Sequence, residues 1–89
     1  MALEQIFQAM VDKWPSAVVS RGEVINFSGG LLDGRRLANL DSQGLGPEVR
    51  VRISGRKIGY PVGVLAGWMQ SRAEVIERGP AGGRVGSKK

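Results

Sequence analysis

Leu3, Ile6, Phe7, Met10 and Val11 recur at helical spacing with Glu4, Gln5, Gln8 and Asp12 between them, which predicts an amphipathic helix over residues 2–13. Pro15 ends it by disfavouring helix at Trp14. Ser20 with Glu23 three residues on reads as a capping box for a short helix through about Phe27, and Ser28-Gly29-Gly30 closes it. Asp33 can cap a further helix from Gly34 to about Gln43 with Leu37 and Leu40 on its buried face, stopped by Gly44, Gly46 and Pro47. The period then changes to two. Val49, Val51 and Ile53 alternate with Arg50, Arg52 and Ser54, as in a half-buried strand. Ser54-Gly55-Arg56-Lys57 makes a turn, and Ile58-Gly59-Tyr60 returns as a second strand. Pro61 opens a last helix, with Val64, Leu65, Trp68 and Met69 on its apolar face, ending near Glu77.

The expected fold is therefore α+β: short helices plus a two-stranded β-hairpin. An N-terminal helix (1–15) precedes a domain over 16–78, and a glycine-rich basic tail (79–89) is expected to be disordered. A chain of 89 residues has room for one core. With no Cys and no His, it lacks disulfides, thiolate or imidazole metal ligands and an imidazole base, so neither a metal nor a cofactor is expected. The acidic residues show no paired arrangement, and no Gly-rich phosphate loop is present, so the expected function is not enzymatic. No stretch reads as a secretory signal or a membrane span, which points to a cytoplasmic, nucleoid-associated location.

Charge sharpens this picture. The formal net charge is +5, unevenly spread. Residues 1–34 carry two basic side chains against four acidic ones, whereas residues 35–57 carry six basic (Arg35, Arg36, Arg50, Arg52, Arg56, Lys57) against two acidic. A basic centre behind an acidic first third suggests one side facing a polyanion. Two short helices joined by a Gly-containing turn form the helix-turn-helix pattern, whose second helix reads a DNA major groove. On that second helix Arg35, Arg36, Asn39 and Ser42 share an outward arc. Arginine can bond guanine, and asparagine adenine, bidentately. Gly34 at the helix start would let backbone approach a phosphate. Asp33 and Asp41 would repel phosphate and are expected to cap or face away. In the hairpin, Arg50 and Arg52 project from one strand face while Arg56 and Lys57 crown the turn, placed to track phosphates or enter the minor groove. Tyr60 and Trp68 are expected in the core.

The order helix, turn, helix, basic hairpin, helix is that of a small winged helix. From Ser28 to Arg72 the chain resembles the excisionase-like, MerR-like winged helix-turn-helix proteins of phages and mobile elements. Gly55-Arg56-Lys57 followed by Tyr60-Pro61, Leu65 and Trp68 carries the likeness most specifically. The resemblance implies Arg35, Arg36 and Asn39 in the major groove, Arg56 and Lys57 as the wing contact, and a role as transcription regulator or recombination directionality factor. The partners it implies are double-stranded DNA and a recombinase or RNA polymerase, with no membrane involved. One module makes few base contacts, so a homodimer or cooperative array is expected, with the helix over Leu3–Lys13 as the candidate contact. Competing readings are a small terminase-subunit-like DNA recognition role, single-stranded nucleic-acid binding, and a protein-interaction adaptor or antitoxin with a basic face.

Overall fold

The computed structural model describes residues 2–76, so the expected tail over 79–89 lies outside the described residues. Helix α1 (Leu3–Lys13) begins and ends where the periodicity places it, and its Phe7 enters the core. It packs along the last helix, so the N-terminal helix belongs to the same folded unit as the rest. Strand β1 (Val18–Ser20) follows, then a 3-10 turn (Arg21–Glu23) running into the single-turn helix α2 (Val24–Phe27). The expected capping box does not form. Ser20 belongs to the strand and its side chain makes no cap bond, while Glu23 instead accepts a hydrogen bond from the Asn26 amide at 2.9 Å.

Helix α2 closes as expected: Gly30 donates its N–H back to Ile25 at 2.8 Å, and Gly29 and Gly30 both take positive φ. The buried Ser28 hydroxyl accepts from the Leu32 N–H at 2.9 Å and donates to the Leu32 carbonyl at 3.0 Å, tying the turn that leads onward. Helix α3 (Gly34–Ser42) starts on Asp33, whose carboxylate accepts from the Arg36 N–H at 2.8 Å. Strands β2 (Val51–Ile53) and β3 (Lys57–Pro61) make the hairpin, and α4 (Val62–Ser71) follows Pro61 directly.

The sheet is antiparallel with three strands in the order β1-β3-β2, so the expected two-stranded hairpin supplies two of the three strands and β3 is central. Helix α4 stops at Ser71, short of the expected Glu77. Ala73 still packs against the core, but Ile76 is 86% exposed, so the segment past Ser71 has no continuous buried face to hold a helix. Val19, Val24, Phe27, Leu37, Tyr60, Leu65, Ala66 and Met69 complete the core around Phe7. Trp68 lies partly exposed beside that core, so its expected place inside is only half right. Its indole N–H donates to the Leu45 carbonyl at 3.0 Å, and Arg72 stacks on its ring at 5.2 Å.

Candidate functional site

Helix α3 carries its basic residues outward and its anchors inward. Arg35, Arg36, Asn39 and Ser42 are exposed, Leu37 is fully buried and Leu40 half-buried. The arc is not uniform, however. Arg36 borders a shallow groove of Leu31, Leu40, Trp68 and Arg72, on the side of α3 away from Asp41. The Ser42 hydroxyl donates to the Asn39 carbonyl of its own helix at 2.8 Å. Gly34 has an internal reason to be glycine: a Cβ there would stand 2.5 Å from the Arg21 carbonyl oxygen. The first turn of α3 therefore rests on the 3-10 turn, a constraint independent of any phosphate.

Strand register corrects the expected sidedness of the hairpin. Residues paired across a sheet share a face and neighbours alternate. Arg52 pairs with Ile58, and Tyr60 pairs with Val19, so Arg52 lies on the sheet face that carries the core. Val51 and Ile53 occupy the other face with Val18 and Lys57, and there they are exposed, Ile53 by 64%. The alternation marks a strand, but the apolar half of β2 faces away from the core. Arg50, just before β2, reaches toward α3 and stands 3.9 Å from Asp41. Lys57 is carried on the far face opposite Ile53, and Arg56 sits in the exposed turn. The turn itself holds Ser54 and Gly55 at positive φ, 59° and 74°.

Between α3 and the sheet lies a polar cluster that sequence reasoning missed. Asp41 Oδ2 accepts from Arg21 Nη2 at 2.6 Å and from the Tyr60 hydroxyl at 2.6 Å, while Arg21 Nε donates to the Tyr60 oxygen at 3.1 Å. The Asp41 side chain is only 3% exposed and the tyrosine ring is fully buried. Gly46 packs against the same carboxylate so closely that a Cβ there would overlap Asp41 Oδ1. Burial, and then the bond to Asp41, pushes the Tyr60 hydroxyl up to about 12. Burial alone would lower Arg21, but its bonds to Tyr60 and Asp41 prevail and hold it above the ordinary arginine value. Asp41 is thus turned inward and paired with Arg21.

Arg35 and Arg36 thus stand in the first turn of α3, and Asn39 and Ser42 toward its C-terminal end, where Arg50 reaches Asp41; Arg52 lies on the hairpin strand, with Arg56 and Lys57 at its turn. Among the described residues, no group of three or more acidic side chains is placed to hold a metal ion, and no helix is long and apolar enough to cross a membrane. No family model, curated protein or solved structure matches the chain.

Proposed function

We propose that this chain is a non-enzymatic, sequence-specific binder of duplex DNA with a winged helix-turn-helix architecture of the excisionase-like type. One observation carries the reading. A short capped helix with exposed Arg35, Arg36 and Asn39 is tied through its Asp41 to Tyr60 of the basic hairpin, and Arg50 reaches to 3.9 Å from the same carboxylate. Helix α3 enters the major groove, where Arg35 and Asn39 face base edges. Arg50 and Arg52 meet backbone phosphates beside it, and Arg56 with Lys57 extends the contact to the neighbouring backbone or minor groove.

A single module of this kind covers about 600–1,000 Å² of DNA-facing protein surface, so useful selectivity calls for two or more copies on repeated half-sites. The biological role that fits is a transcription regulator or recombination directionality factor, which acts by positioning or occluding a polymerase or recombinase.

Selection of bound fragments from a random duplex library, at low and physiological salt with single-stranded competitor, tests this. An enriched motif that survives physiological salt is the expected result. Arg35→Ala should then cost about 1–3 kcal/mol on that motif and relax one position, while Lys57→Ala weakens all duplexes alike. Binding that vanishes at physiological salt without any motif refutes the proposal and favours an adaptor with an acidic partner.

A further inference from the structure

We propose that Arg21, Asp41 and Tyr60 are positioning residues that set the angle between α3 and the basic hairpin, and through it base preference, an inference that rests on the duplex-DNA reading above. The apolar contacts of α3 leave that angle weakly determined. Leu37 is its one fully buried side chain among the described residues, and packing around a single leucine is not directional. Hydrogen bonds are directional, and the cluster supplies three of them between three elements: the 3-10 turn, α3 and the central strand β3.

Arg21 holds α3 at two places. Its carbonyl meets the helix at Gly34, and its guanidinium meets Asp41 two turns later on the same face. Tyr60 fixes the same carboxylate from β3, the strand on which the hairpin is built. The hairpin and α3 are therefore referenced to one oxygen atom, Asp41 Oδ2. Arg50, at 3.9 Å from that oxygen and exposed, is too far for a hydrogen bond and free to turn to a phosphate without dismantling the cluster.

A buried network of this kind adds little stability over a well-packed apolar replacement, so geometric specification is what it contributes. Its members lie outside the DNA-facing set, which makes their effect separable from direct contact.

The test uses the full chain with Tyr60→Phe, which removes one oxygen, and Asp41→Asn, which removes the charge. Folding is checked by circular dichroism, and Tyr60→Phe alone suffices if Asp41→Asn does not fold. Affinity is measured for the wild-type selected duplex and a scrambled one across a salt series. In a separate arm without DNA, backbone residual dipolar couplings report the orientation of α3 relative to β1 and β3. We expect selectivity to fall about tenfold or more, the loss of roughly one bidentate base contact. For Tyr60→Phe, which leaves the charge as it is, the scrambled-duplex affinity and its salt slope stay unchanged, whereas Asp41→Asn removes a negative charge 3.9 Å from Arg50 and raises the scrambled-duplex affinity. In both variants the couplings of α3 shift against those of the sheet. Folded variants that keep the wild-type α3 orientation overturn the inference, as does equal loss of affinity on both duplexes. If the wild type selects no duplex, the DNA reading falls on its own, and the couplings still decide whether the cluster sets the angle.

Discussion

The chain holds a single tyrosine, which makes the buried cluster directly readable in alkaline solution. Tyr60 titrates near 10.0 when unfolded and about 12 in the folded protein, so folding favours its neutral, hydrogen-bond-donating form. The stabilisation is fully present below pH 10 and is lost as pH rises from 10 toward 12, because the unfolded chain releases the proton first. With a shift of about two units, linkage makes the loss about 1.4 kcal/mol at pH 11 and about 2.3 kcal/mol at pH 12. Tyr60→Phe lacks this term. Its own cost at pH 8 is about 1.5–3 kcal/mol, because a bond to the charged Asp41 disappears and Arg21 Nε loses its acceptor. Denaturant melts of both proteins between pH 8 and pH 12 should therefore show their stability gap closing by about 2.3 kcal/mol, with the parallel titration of lysines cancelling in the difference. Phenolate absorbance of the folded wild type should rise with a midpoint near 12, against 10.0 in denaturant. A constant gap, or a folded midpoint near 10.0, would refute the claim that Tyr60 donates to Asp41 from a buried site.

Further expectations concern single positions. Gly34→Ala gains up to about 1 kcal/mol of helix propensity but collides with the Arg21 carbonyl, and overpacking of about 1–3 kcal/mol should dominate; an unchanged or raised melting temperature would contradict that close approach. Ser54→Asn places a residue more tolerant of positive φ in the hairpin turn and should stabilise by about 0.5 kcal/mol, read as a higher melting temperature. Trp68→Phe keeps most of the packing but drops the bond to Leu45, which should cost about 1 kcal/mol in chemical denaturation.

Local signals made α1 and α3 legible. Apolar spacing located both, and Asp33 before Gly34 marked a start that the Arg36 N–H confirms by its bond. Strand β1 was hidden by its length, for three residues with only Val19 inward carry no alternation to detect. In β2 the alternation was visible but ambiguous as to face. The core side of the sheet is chosen by β3 through Tyr60, so Val51 and Ile53 point outward although they are the apolar half. The cluster around Asp41 joins residues 19, 20 and 39 positions apart, beyond any local pattern. One sequence hint existed: Asp41 falls four residues after Leu37, on the buried side of its helix, where a carboxylate requires partners. The exposed arginines of α3 were legible as a group, but only the packing of Leu31, Trp68 and Arg72 separates Arg36 from Arg35.

The strand order β1-β3-β2 and the packing of α1 on α4 also bear on how the chain is made. A ribosome delivers α1 and β1 well before α4 and β3, their principal partners, whereas α2 and α3 can meet the 3-10 turn as they emerge. Phe7, Val19, Val24, Phe27 and Leu37 must wait for Tyr60, Leu65, Ala66 and Met69, and β1 has no strand to pair with until Lys57–Pro61 emerges. Nascent chains released before α4 is complete should accordingly remain unfolded and protease-sensitive, and folding should set in as a single event once α4 has emerged.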